Sequence, residues 1–246
     1  MTFQLRIGPD HLTTARMNLS LPLILCAALT SAVAAEPNQL TPEEKAAGWK
    51  LLFDGQTTQG WRSYKKQTFP TNGWTVQEGW LKCVARGRGG DIVTVDAFTD
   101  YEFWWEWRLA PKANNGVKYF VSEKRSGAPG HEYQMIDDAT VKPGKGATAA
   151  FYDVLPPKSD KPPKPPGEIN QSRVVVQGNH VEHWLNGVKV LEYELGSEEV
   201  QAALARSKFK DARDFGRQIT GPILLTDHGT EAWFRNLKIR ELPAGR

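Results

Sequence analysis

The chain has 246 residues, of which 40% are hydrophobic and 24% are charged, as is ordinary for a soluble globular protein. Its formal net charge of +3 is too small and too evenly spread to indicate a nucleic-acid partner. The unusual component is tryptophan, with nine residues, which suits both core packing and stacking against sugar rings.

The first 35 residues predict an export signal. The stretch Leu19–Ala35 is apolar and uncharged, follows two arginines and ends in small residues. It lacks the length and the far-side charge of a membrane anchor. We therefore expect cleavage after Ala35, no membrane anchor, a periplasmic or secreted location and a single mature domain at 36–246. Met1 and Met17 are alternative starts.

Short β-branched and aromatic runs separated by Gly, Asn, Asp and Pro extend from Trp49 to Asp153 and return from Arg173 to Arg240. This pattern of short runs and separators predicts an all-β sandwich or barrel. The pair Asn186-Gly187 predicts a tight hairpin, because both residues tolerate a positive φ.

Two segments interrupt the strand pattern. Leu155–Gly167 is rich in proline and lysine, which predicts an extended surface loop within one fold. Ser197–Ser207 is the one clear helix of the mature chain, with Ser197 as its N-cap.

The run Tyr101–Leu109 has two chemically different faces. Alternation places Trp104 and Glu106 on a polar face with other charged residues, and Trp105 and Trp107 on an apolar face. The apolar face predicts core. The polar face fits either a sugar-binding groove, with Trp104 and Glu106 contacting substrate, or a solvated surface with cross-strand Glu–Arg pairs.

The segment His131–Asp138 shows a similar alternation. Glu132 and Gln134 point the same way, about 7 Å apart by strand rise. Their oxygens suit a hard cation such as calcium, magnesium or manganese, or a sugar. A plain polar strand edge would show the same spacing.

His228 follows the apolar run Ile223–Leu225 and precedes Gly229. At a strand end it is free to face a groove, where it would ligate a metal or move a proton. The alternative is a histidine that is simply hydrogen-bonded in a turn.

The motifs of several enzyme classes are absent from the sequence. It contains no glycine-rich phosphate loop, no G-x-S-x-G elbow and no H-E-x-x-H. It also lacks the compact set of strand carboxylates that β-glucanases of similar architecture use to flank a glycosidic bond.

Eight groups of short motifs occur along the chain in order. They are Gly48-Trp49 to Gly60-Trp61, Trp74-x-Val76-x-x-Gly79, Asn114-Asn115-Gly116-Val117, Glu132-Tyr133-Gln134-x-Ile136-Asp137, Trp184-Leu185-Asn186-Gly187, Ser207-Lys208-Phe209, Asp227-His228-Gly229 and Phe234-Arg235-Asn236. Each is weak alone, but the ordered set resembles the 3-keto-disaccharide hydrolase domain family, also described as 3-keto-glucoside lyase/hydratase, over about residues 47–242.

The resemblance implies a concanavalin-A-like jelly-roll β-sandwich that is exported and acts on glycosides oxidised at C3. It implies a carbohydrate substrate, a divalent metal cofactor and an upstream sugar 3-dehydrogenase that supplies the keto-sugar. A C3 ketone acidifies the C2 proton, so a base can remove it and expel the C1 aglycone, and a metal would stabilise the resulting enediolate.

The resemblance also assigns candidate roles to individual residues. Glu132 and His228 are expected to ligate the metal or to act as the base, and Lys118 to polarise the ketone. Gln134 and Asn115 are expected to orient the sugar. The alternatives are a non-catalytic carbohydrate-binding module on the same groove, and a glycoside hydrolase that uses carboxylates such as Glu102, Glu106 and Glu132.

Overall fold

The computed structural model describes residues 1–2, 4–5, 36–125, 129–212 and 214–244. The predicted signal peptide, residues 1–35, lies outside the described residues apart from four at its start. Ala35–Arg246 form one compact unit. Among the described residues, no helix is long and apolar enough to cross a bilayer.

Thirteen strands are described in this unit. They are β1 Trp49–Leu51, β2 Trp61–Ser63, β3 Trp74–Gln77, β4 Trp80–Cys83, β5 Ile92–Thr94, β6 Tyr101–Leu109, β7 Asn114–Tyr119, β8 His131–Ile136, β9 Asn170–Gln177, β10 His180–Leu185, β11 Val188–Glu194, β12 Leu224–Leu225 and β13 Ala232–Glu241.

The strands form two antiparallel sheets. The eight-stranded sheet has the order β11-β10-β9-β6-β13-β4-β3, with β1 also paired to β13, and the five-stranded sheet has the order β2-β5-β12-β7-β8. Several neighbours in each sheet, such as β6 with β13 and β12 with β7, come from distant parts of the chain, as the crossovers of a jelly roll require. The predicted jelly-roll β-sandwich is confirmed.

The inner faces of the two sheets meet in one apolar core. On β6 the predicted apolar face is buried, including Phe103, Trp105 and Trp107. On β8 Tyr133 and Met135 point to the same core, and the Trp105 and Tyr133 rings pack edge to face with centroids 5.0 Å apart. Residues of even number on β7 and β8 consequently point outward, toward the site described below.

A line of polar side chains also crosses this core. His131 Nδ1 contacts the Tyr193 hydroxyl at 3.4 Å, and the Tyr119 hydroxyl lies 2.6 Å from Tyr193 and 2.7 Å from His183 Nε2. His183 Nδ1 lies 2.9 Å from the Ala149 carbonyl, to which it donates. Burial lowers the pKa of His183 to about 4 and that of His131 well below its usual value, so both rings are neutral at pH 7.

Two helices flank the sheets. Helix α2 spans Glu198–Ala205, and the Ser197 side chain accepts a hydrogen bond from its first turn, so the predicted helix and cap are confirmed. A second, five-residue helix, α1 at Pro42–Ala46, was not predicted. It depends on a capping box in which Thr41 and Glu44 each accept the other's backbone N–H.

The predicted hairpin and surface loop are also present. Asn186 and Gly187 join β10 to β11 with φ values of 47° and 83°, as a type I′ turn requires. Leu155–Gly167 contains no strand beyond a single bridge at its first residue, and it runs as an extended segment between β8 and β9.

Candidate functional site

A groove of about 1210 Å³ lies on the outer face of the five-stranded sheet. Its floor is formed by outward side chains of β7 and β8, and its walls by Tyr152, by the segment after α2 and by His228. The polar floor residues include Asn114, Lys118, Glu132 and Gln134. Four of the sequence-predicted site residues, Lys118, Glu132, Gln134 and His228, therefore meet in one groove.

The Glu132 side chain lies in the groove beside a position on β7 that has no side chain, Gly116. On β7, Lys118 pairs with Glu132, and Gly116, two residues before Lys118, pairs with Gln134. A Cβ on Gly116 would lie only 2.3 Å from Glu132 Oε1, so the carboxylate occupies the space that glycine leaves open. The Glu132 side chain is 6% exposed.

A lysine and a histidine flank the Glu132 carboxylate. Lys118 Nζ lies 3.5 Å from Oε2, and His228 Nε2 lies 3.7 Å from Oε1. The His228 side chain is 39% exposed and lines the groove, as expected for a histidine that is free to face it. A buried carboxylate between an ammonium and an imidazole can accept a proton or bind a cation.

Asp91 is a member of this cluster that the sequence analysis missed. It precedes β5, whose neighbour β12 leads into Asp227 and His228, and its Oδ1 accepts the Asp227 backbone N–H at 2.9 Å. Burial raises the pKa of the Asp91 carboxyl, against the opposing effect of Lys118 and His228. No local motif marks Asp91, because its proximity to the groove depends on strand order.

Asn115 does not contact the groove, contrary to prediction. It points inward on β7 and is fully buried, and its Nδ2 donates to the Thr226 carbonyl at 2.8 Å. Its Oδ1 accepts the Gly116 backbone N–H at 2.9 Å. Asn115 thus fixes the chain just before His228, while the neighbouring Asn114 lines the groove.

Trp104 and Glu106 also lie away from the groove, contrary to prediction. Both are on β6 in the eight-stranded sheet, on the face opposite to the core. Glu106 accepts hydrogen bonds from Arg235 Nε at 2.6 Å and Gln171 Nε2 at 3.1 Å, and Lys238 Nζ lies 4.3 Å from the Trp104 ring centroid. The cross-strand Glu–Arg pairs left open from the sequence are present, but Glu102 and Glu106 are buried and not solvated.

Known proteins show which family the chain belongs to. Residues 48–240 match the family described as the 3-keto-alpha-glucoside-1,2-lyase-like domain. The chain belongs to this family. A relative from Bacteroides thetaiotaomicron named 3-keto-disaccharide hydrolase is 30% identical, over 85% of this chain and 83% of the relative.

Solved structures support the same family fold. A presumed glycosyl hydrolase from Parabacteroides distasonis is 33% identical with a TM-score of 0.77, and the match covers 85% of this chain and all of that one. A second presumed glycosyl hydrolase from the same organism is 27% identical with a TM-score of 0.63, over 79% of this chain and 99% of that one. Together the matches support a carbohydrate-active enzyme of the 3-keto-alpha-glucoside-1,2-lyase-like family.

The groove contains donors that fit a divalent cation. Glu132 Oε1 and Gln134 Oε1 are both buried without a hydrogen-bond partner among the described residues, and His228 Nε2 lies close to the first. Two oxygens and an imidazole nitrogen are suitable ligands for such an ion. Lys118 already supplies one positive charge beside the other oxygen of Glu132.

A different group of possible metal ligands lies on the eight-stranded sheet. His180, Glu182 and Glu192 place ligand atoms within 4.8 Å of one another, the one such group of three among the described residues. Lys189 Nζ lies 3.1 Å from Glu182 and also contacts Glu192, so a lysine already balances the charge there.

Proposed function

We propose that the protein is an exported enzyme that cleaves 3-keto-glycosides by β-elimination and hydration, with net hydrolysis as the sum. The observation that carries this proposal is the Glu132 carboxylate, buried between Lys118 and His228 on the floor of a groove. Membership of the 3-keto-alpha-glucoside-1,2-lyase-like family supports the same chemistry.

The elimination assigns one role to each side chain. Glu132 removes the proton at C2, and those electrons form the C1–C2 double bond as the C1–O bond to the aglycone breaks. Lys118 stabilises the negative charge that develops on the C3 oxygen. His228, at the more exposed end of the cluster, gives a proton to the departing aglycone oxygen.

Hydration reverses the proton movements. His228 accepts a proton from a water molecule as its oxygen adds to C1, and Glu132 returns a proton to C2. The products are the free 3-keto-sugar and the aglycone alcohol. Gln134 and Asn114, whose side-chain oxygens are buried without partners among the described residues, are placed to bind sugar hydroxyls.

In the alternative assignment, Glu132 and His228, with the Gln134 side-chain oxygen beside them, would hold a divalent cation, and His228 would then be a ligand and not the proton donor. When bound, calcium, magnesium or manganese would supply further positive charge for the oxygen of the ketone. The experiment below therefore includes a chelator arm.

The test uses purified protein with 3-keto-trehalose and a 3-keto-β-glucoside, each with and without a chelator. Loss of the keto-sugar is expected, and Glu132→Gln should reduce it by about 10² to 10⁴-fold. Glu182→Gln is the matched control, since Glu182 also contacts a histidine and a lysine but lies on the other sheet. Loss of activity with the chelator that one added cation restores would support a divalent metal cofactor.

Other outcomes separate the alternatives. Tight binding without turnover in the wild type would make the groove a carbohydrate-binding site only. Cleavage of the unoxidised sugar would favour a hydrolase based on carboxylates. Such a hydrolase lacks structural support, because Glu102 and Glu106 lie on the eight-stranded sheet, each bonded to arginine, while Glu132 lies on the other sheet.

Two further expectations belong to the same proposal. The apolar segment Leu19–Ala35 would direct the chain to the periplasm or the medium, which the mass of the mature N-terminus would establish. The substrate also requires an oxidation at C3 of a glycoside. A sugar 3-dehydrogenase must therefore act before this enzyme, and we propose one as its pathway partner.

A further inference from the structure

The groove continues beyond Glu132 to an aromatic side chain on the next extended segment. The backbone N–H of Tyr152 donates to the Glu132 carbonyl at 3.0 Å, and Phe151 forms a bridge with Tyr133. Tyr152 therefore lies opposite Glu132 at the edge of the sheet, and its side chain lines the groove. Any aglycone that extends this way from a sugar at Glu132 would reach Tyr152.

A lysine lies above this ring, and the Asp153 carboxylate that attracts it is shared with Lys145. Lys208 Nζ lies 4.1 Å from the centroid of the Tyr152 ring and 5.1 Å from that of Phe209. Its backbone N–H donates to Asp153 Oδ2, and that carboxylate is paired with Lys145 Nζ at 2.9 Å. In the described part of the chain, no carboxylate lies within ion-pair distance of Lys208 Nζ.

Aromatic rings orient a cation but leave its charge available, because a ring face carries no net charge. The net charge of the whole groove lining is also positive, since the described groove residues include five lysine and arginine side chains and three carboxylates. These carboxylates are Glu132 itself, Asp214, which lies 3.5 Å from Arg217, and Asp211, three residues after Lys208. The end of the groove near Lys208 is therefore suited to a negatively charged group.

We propose that Tyr152, Lys208 and Phe209 form the aglycone subsite, and that it selects an aglycone with a ring and a negative charge. This inference rests on the proposed function, because it takes Glu132 as the point where the glycosidic bond is cleaved. The ring lies against the aromatic side chains, and its carboxylate or equivalent anion pairs with Lys208.

The experiment compares two 3-keto-glucosides of equal size, with 4-hydroxybenzoate or 4-hydroxybenzamide as the aglycone. The wild type should have a KM about tenfold lower for the acid, the scale of one charge-assisted hydrogen bond. Lys208→Met should remove that difference by raising the KM for the acid and not for the amide. Lys210→Met is the matched control, since Lys210 is exposed nearby but does not line the groove.

Equal KM values for acid and amide in the wild type would overturn the proposal, as would an equal rise for both in Lys208→Met. If neither compound is turned over, the proposed function fails, and the subsite is then tested by calorimetry with the unoxidised 4-carboxyphenyl and 4-carbamoylphenyl glucosides. Tighter binding of the acid that Lys208→Met abolishes supports the subsite, and its absence rejects it. The same comparison with a second pair of 3-keto-glucosides, whose aglycone is glucuronate or glucose, shows whether the ring of the preferred aglycone is aromatic or a sugar.

Discussion

Gly116→Ala should disable the site without unfolding the protein. The added Cβ would lie 2.3 Å from Glu132 Oε1, 2.9 Å from Cγ and 3.0 Å from Cδ. Restoring an ordinary 3.4 Å contact with Oε1 requires a shift of about 1.1 Å. The backbone of Gly116 is not in the left-handed region, so alanine is tolerated there and slightly favours the strand. A misplacement of about 1 Å costs about a hundredfold in rate.

The assay measures kcat on a 3-keto-glucoside together with the thermal unfolding midpoint. We expect kcat to fall about a hundredfold while the midpoint changes little, because all three close atoms belong to the Glu132 side chain and none to the backbone. Gly146→Ala is the control, since nothing lies within 4 Å of its added Cβ and its φ is unstrained. A kcat within threefold of the wild type, with the fold intact, would refute a catalytic role for the position of Glu132.

Three further predictions concern charge. Lys118→Met should lower kcat by about 10² to 10³-fold, since one charge that stabilises the enolate is lost, whereas an unchanged kcat would assign that role elsewhere. Asp91→Asn should lower kcat in the same assay. The unfolding midpoint at pH 7 should stay unchanged or rise, because the substitution removes a carboxylate that burial destabilises, and a lower midpoint would contradict this. The pKa of His183 is lowered from 6.5 to about 4, so the folded state binds fewer protons than the unfolded state. The free energy of unfolding, measured by urea titration, should therefore fall by about 3 kcal/mol from pH 6.5 to pH 4 through this residue, and His183→Gln should reduce that loss.

Much of the fold could be predicted because its signals are local. The alternation in Tyr101–Leu109 sets the core face of β6, and Asn186-Gly187 sets one hairpin. Neither the strand order nor α1 could be predicted from such local signals. The order depends on contacts between distant segments, and α1 is a single capped turn, Pro42–Ala46, with no apolar period.

The candidate site was predictable where strand alternation decides it. Glu132 and Gln134 share one face of β8, and this face is the floor of the groove. The same rule, applied to β7, places Asn115 on the inner face with Val117, so the family motif suggested the wrong one of two adjacent asparagines. Asp91 had no local signal, because its carboxyl reaches the cluster through strand order alone.

The difference between Glu132 and the glutamates of β6 shows what a sequence pattern cannot decide. Both strands place a glutamate on a face whose neighbouring positions alternate with buried aromatic or apolar residues. Glu102 and Glu106, however, accept hydrogen bonds from arginines on β9 and β13, which lie far away in sequence. Glu132 has one oxygen without a hydrogen-bond partner among the described residues and an ammonium 3.5 Å from the other. A carboxylate that folding leaves partly unsatisfied is available for chemistry, and only the register of the sheets determines which one that is.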